Sequence, residues 1–134
     1  MKFLALFTLA TILCACGARS TDEERVRELF ASAEEAAEAR DSSDLLALVD
    51  DEYADAQGLD KNSLRDFLRV WLLAHPQVEL LVNVESLEFP ADGLAQAEIT
   101  IAQVALGDAS LERIRVELRR DGEEWRVVRA DRRR

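Results

Sequence analysis

The spacing of apolar residues changes once along this chain, at Pro76. Upstream they recur at three- and four-residue intervals, the period of a helix with one dry face; downstream they alternate, the period of a half-buried strand. Val26, Leu29, Phe30, Ala33, Ala36 and Ala37 share one helical face, which predicts a first helix from about Asp22 to Arg40. Ser20 and Thr21, each followed three residues later by a glutamate (Glu23, Glu24), are capping-box candidates for its start. Asp41-Ser42-Ser43 breaks the pattern and offers a new N-cap to a short helix carrying Leu45, Leu46, Leu48 and Val49. An acidic, aperiodic stretch ends at Gly58. Asp60 then caps a third helix with Leu64, Phe67, Leu68, Trp71 and Leu72 along one stripe. Pro76 stops that helix, because proline cannot continue the hydrogen-bond ladder and restricts His75 before it.

Beyond Pro76, Val78, Leu80, Val82 and Val84 alternate with Glu79, Leu81, Asn83 and Glu85, ahead of a turn at Pro90-Ala91-Asp92-Gly93. Ala95, Ala97, Ile99 and Ile101 alternate up to Gly107-Asp108, and Ile114, Val116 and Leu118 up to Asp121-Gly122, a two-residue hairpin signal. Trp125 to Ala130 is the last strand. Four strands joined by three tight turns predict an antiparallel meander with one dry and one wet face. The fold class is therefore α+β, with the helices covering the dry face.

This order of elements, from about Thr21 to Asp131, resembles the nuclear-transport-factor-2-like superfamily, also called SnoaL-like. Asp51-Glu52-Tyr53 after the second helix and the closing Asp121-Gly122-Glu123-Glu124-Trp125-Arg126-Val127-Val128 carry the resemblance. It implies a cone in which N-terminal helices pack on the concave face of a bent antiparallel sheet, a single domain over residues 22–131 followed by a basic tail, residues 132–134. The chain has fewer aromatics than many members of that superfamily.

The N-terminus carries a second resemblance. Lys2, an apolar run from Phe3 to Leu13, and Leu13-Cys14-Ala15-Cys16 resemble the signal peptide and lipobox of bacterial lipoproteins. The run is shorter than the roughly 20 residues a membrane-spanning helix needs. The resemblance implies removal of residues 1–15, lipidation of Cys16 and a short tether over residues 16–21. It also implies acyl chains that hold the domain in the cell envelope. Gly17 replaces the aspartate that marks inner-membrane retention in that family, which points to the periplasmic side of the outer membrane. Both cysteines of the chain lie at this site, so the mature domain has none for disulfides or thiol chemistry.

Loss of Lys2 with the signal leaves 16 basic against 27 acidic side chains, a net charge of −11. That sign argues against nucleic acid, whose phosphates select clustered cations. Residues 21–60 hold 14 acids and 3 bases, whereas 111–134 hold 6 acids and 9 arginines. The outward strand positions include Glu79, Asn83, Glu98, Thr100, Arg113, Arg115, Glu117 and Arg119. They are too charged for an apolar dimer core, so a monomer is expected.

The inward strand positions contain no acid, histidine, lysine or tyrosine, and an aliphatic floor cannot move protons. Catalytic candidates are restricted to His75, the chain's one histidine, and to acids of the Asp50–Asp55 cluster, notably Asp51 and Asp55. Tyr53, Trp71, Val82, Ile99, Ile101 and Val116 are the candidates to line a pocket. The acidic cluster lacks the spacing and glycine of a calcium loop. One histidine and no usable thiol make a transition-metal site improbable, and no cofactor motif occurs. The expected function is a non-catalytic, lipid-anchored envelope domain that binds an apolar small molecule or a protein partner through the cone. The alternative is an isomerase- or dehydratase-like enzyme of the SnoaL type, using His75 or an aspartate of 50–55.

Overall fold

A computed structural model describes residues 17–134 except 78 and 106, with the side-chain surroundings of 17–20 and 105 also left aside. The signal segment, Cys14 and Cys16 lie outside the described residues. Three helices precede four strands: α1 (Gly17–Glu38), α2 (Ser42–Ala47), α3 (Lys61–Ala74), β1 (Glu79–Ala91), β2 (Leu94–Ala105), β3 (Asp108–Asp121) and β4 (Glu124–Arg132). The strands form one antiparallel sheet in the order β1-β2-β3-β4, the predicted meander.

Helix α1 starts at Gly17 rather than Asp22. Ser20 and Thr21 are thus inside the helix instead of capping it, and residues 17–21 of the expected tether belong to its first turns. At its other end Asp41 N donates to Ala36 O and Arg40 N to Ala37 O. This double closure puts Arg40 in the left-handed region at φ +57°. The two predicted caps hold: Asp41 accepts from Asp44 N at 3.0 Å and Asp60 from Ser63 N at 2.8 Å.

The dry face of β1 changes parity partway. Val84 pairs with Ile99 and Ser86 with Glu98, so Glu85 is an extra residue. Past this bulge Leu87 and Phe89, not the even positions, turn inward. A second bulge leaves Val128 between the pairs Leu118–Val127 and Glu117–Arg129. The last hairpin also closes one step later than expected. Asp121 pairs with Glu124, so the loop is Gly122-Glu123, and Gly122 takes the φ of +63° that its first position needs.

The core lies between α1 and the sheet. Val26, Leu29 and Phe30 pack with Ala95, Ala97, Ile99, Val116, Leu118 and Trp125, all nearly or fully buried. Alanines at 95 and 97 leave room on β2 for the larger side chains of α1. Both sheet edges are blunted against strand addition. Glu34 of α1 accepts the outward N–H of Val82 at 2.5 Å on β1. On β4, Val127 N donates to Leu48 O and Val127 O accepts from Asp50 N.

Candidate functional site

Helix α3 packs on α2 rather than on the sheet. Its ends are tied instead. At the C-terminus the Arg40 guanidinium donates to Leu72 O at 2.8 Å and to Pro76 O at 3.4 Å, satisfying carbonyls the helix leaves open. At the N-terminus Lys61 pairs with Asp51 at 2.9 Å, and Ala54 bridges Asp60. Leu72 is its one buried residue. Between α3 and the open end of the sheet lies a cleft of about 270 Å³.

The walls of the cleft are apolar and its far end is polar. Leu64, Phe67, Leu68 and Trp71 come from α3, and Leu80, Ile101 and Ile114 from the inner sheet face. Tyr53, Asp55, Gln57, Gln103, Glu112 and Arg132 supply the polar atoms. Larger hollows exist on the outer sheet face, one of about 560 Å³ beside Glu85, Arg113 and Arg133. They are grooves lined mainly by charged side chains, with few apolar residues.

Three pocket candidates from the sequence, Tyr53, Trp71 and Ile101, do line this cleft. The other three do not. Ile99 and Val116 are buried in the core and Val82 packs against it, because α1 already fills the sheet at those rungs. Leu64, Phe67 and Leu68 also line the cleft, and their stripe, shared with the buried Leu72, carries no separate sequence signal for it. Glu112 and Arg132, paired across the rim at 3.3 Å, have no sequence signal either.

His75 stands outside the cleft. Its ring stacks on Trp71 with centroids 4.5 Å apart, and Nδ1 lies 2.8 Å from Trp71 O. A carbonyl only accepts, so Nδ1 carries the proton there and the imidazole serves its own helix end. Asp51 is exposed and held by Lys61. Asp50 is buried and bound by the Glu52 amide and by Arg119, at 2.9 and 2.8 Å. The amide first, then the guanidinium, hold its carboxyl below the usual carboxylate range against the opposing effect of burial. Asp50 thus fastens the loop to β3, with Glu52 on the same guanidinium at 3.0 Å, while Asp51 fastens it to α3.

Asp55 is the acid of the cluster that reaches the cleft. Its Oδ1 accepts from Gln57 N and Leu59 N at 2.9 and 3.0 Å, and its Oδ2 from the Tyr53 hydroxyl at 2.8 Å. Burial, then the bond to Asp55, push the Tyr53 phenol well above its ordinary value, so it stays a neutral donor. All three bonds tie the carboxylate to its own loop. The arrangement is better suited to holding a loop and presenting negative charge than to removing a proton. Among the described residues no group of three His, Cys, Asp or Glu side chains could hold a metal ion, and no helix is long and apolar enough to cross a membrane.

The architecture, helices against a curled four-stranded sheet, is the nuclear-transport-factor-2-like, or cystatin-like, cone. No family model and no curated protein matches the chain by sequence. Among solved structures, it is similar to a domain of unknown function with a cystatin-like fold from Nostoc punctiforme. The TM-score is 0.72 at 14% identity, over 83% of this chain and 75% of that one. A scytalone dehydratase-like protein from Novosphingobium aromaticivorans aligns with TM-score 0.72 at 8% identity, over 86% and 85%. An NTF-2 like protein of unknown function from Shewanella oneidensis aligns with TM-score 0.68 at 11% identity, over 83% and 98%. At these identities the likeness establishes the fold alone.

Proposed function

We propose that this protein is a lipid-anchored domain of the cell envelope that binds a small apolar molecule in the cleft between α3 and the sheet, without catalysing a reaction. The observation that carries the binding reading is the cleft itself: apolar walls from Phe67, Trp71, Leu80 and Ile101 with a few polar groups at one end. Against catalysis stand the hydrogen bonds already made by Asp55 and the position of His75 at its helix end. The anchor rests on Leu13-Cys14-Ala15-Cys16, and its acyl chains would place the domain at the periplasmic side of an outer membrane.

Native mass spectrometry of the protein purified from its host tests the binding reading. A stoichiometric small molecule, lost in Trp71→Glu, is the expected result. An empty protein that instead co-purifies with another polypeptide would transfer the function to a protein partner, for which the exposed Phe67, Val70 and Leu73 of α3 offer a surface. Intact mass of the mature chain tests the anchor: an acylated N-terminal Cys16 is expected, and an unmodified chain would refute it. An isomerase or dehydratase activity abolished by Asp55→Asn would overturn the non-catalytic reading.

A further inference from the structure

The described domain has six aromatic side chains, and they divide evenly. Phe30, Phe89 and Trp125 belong to the core, with Phe89 edge-on to Trp125 at 5.8 Å. Tyr53, Phe67 and Trp71 line the cleft. Tyr53 is itself 4% exposed, whereas Phe67 and Trp71 border open space, which core packing does not require. The face of an aromatic ring attracts cations, most strongly where water is thinned.

The charges of the cleft point the same way. Glu112 and Arg132 pair across the rim and largely cancel. Asp55 remains, with hydrogen-bond partners that are all neutral: two backbone amides and the Tyr53 hydroxyl. Arg129 is near enough to sense Asp55, but its guanidinium bonds Asp131. Oδ2 of Asp55 accepts from Tyr53 alone, so it retains acceptor capacity toward the cleft. The whole chain, at net −10, adds a field that concentrates cations and repels anions.

We infer that the cleft selects an organic cation with an apolar body, of the alkyl- or arylammonium kind, over a neutral or anionic molecule of the same size. The cationic head sits near Asp55 at the polar end of the cleft, and the apolar body lies along Trp71, Phe67, Leu80 and Ile101. This assignment rests on the reading of the cleft as a small-molecule site.

Titration calorimetry of the purified protein with hexyltrimethylammonium, 1-octanol and octanoate tests it. The cation should bind about tenfold tighter than the alcohol, with octanoate weakest. Asp55→Asn, which keeps the Oδ1 acceptor for the loop amides, should lower cation affinity about tenfold and leave octanol binding unchanged. Trp71→Leu should weaken all three. Octanol or octanoate binding as tightly as the cation overturns the inference and leaves the cleft reading intact. Binding of none of the three overturns both. The three-probe comparison on the unaltered protein decides the matter even where a variant fails to fold.

Discussion

The two ends of the cone are built differently from similar residues. At the hairpin end, α1 lays Val26, Leu29 and Phe30 over Ala95, Ala97, Val116 and Leu118, and Trp125 closes the gap with Nε1 on Asp22. Asp22 also takes Arg120 at 2.8 Å, so the helix start and the β3–β4 hairpin are fastened together. At the open end, α3 has as rich an apolar stripe but meets the sheet across a cleft. Small residues under α1, Ala95 and Ala97, leave room for its Val26, Leu29 and Phe30. Larger ones, Leu80, Ile101 and Ile114, line the cleft together with Trp71 and Phe67 of α3. A filled end supplies the stability, and that frees the other end to keep a space.

This contrast can be broken by experiment, most severely at the filled end. Leu118→Ala removes a side chain that is 1% exposed and should cost about 2–5 kcal/mol in urea unfolding. Leu68→Ala, on the cleft wall, should cost less than half as much while weakening ligand binding; equal costs would mean the open end is packed after all.

Acid should attack the seams between loop and sheet. Asp50 and Asp131 have folded pKa values below their unfolded ones. Asp50 is lowered mainly by the Glu52 amide, then Arg119, and Asp131 mainly by the Ala56 amide, then Arg129. A depressed carboxyl contributes stability that is present above its unfolded value near 4. That contribution is lost as pH falls through the lower folded value. Melting temperature should therefore drop below about pH 4, and the drop should shrink in Asp50→Asn. An unchanged acid limb in that variant would show that Asp50 is not part of the seam.

Smaller effects test how α3 is held. Asp41→Ala removes the cap of α2, the helix on which α3 rests, and should cost about 1 kcal/mol by thermal melting. Arg40→Gly relieves the left-handed backbone but deletes the clamp on Leu72 O. Hydrogen exchange should then rise in α3 and stay unchanged in α1; protection of both alike would remove the clamp from the account. Leu73→Ser, at a side chain 75% exposed, should leave stability within about 0.5 kcal/mol. A larger loss would mean that α3 is covered in solution.

The meander, the helix order and the Asp41 and Asp60 caps were legible because each follows from spacing along a few adjacent residues. The Glu85 bulge was not, since an extra residue in β1 is defined only by its partners Ile99 and Glu98 on β2. The site was half legible for a related reason. Tyr53, Trp71 and Ile101 lie at the cleft, yet Ile99 and Val116, on the same alternation as Ile101, lie under α1 instead.

By itself the sequence determined where the chain changes from helix to strand, which side of α1, β2 and β3 is dry, and that the chain carries a large excess of acid. These are properties of local spacing and composition. Only the tertiary structure decided which dry surface is filled and which is left open. It also decided that Asp55, not His75 or Asp51, comes to the cleft with its hydroxyl partner. Burial and orientation depend on which helix lies over which rung of the sheet, and residues far apart in the chain set that together.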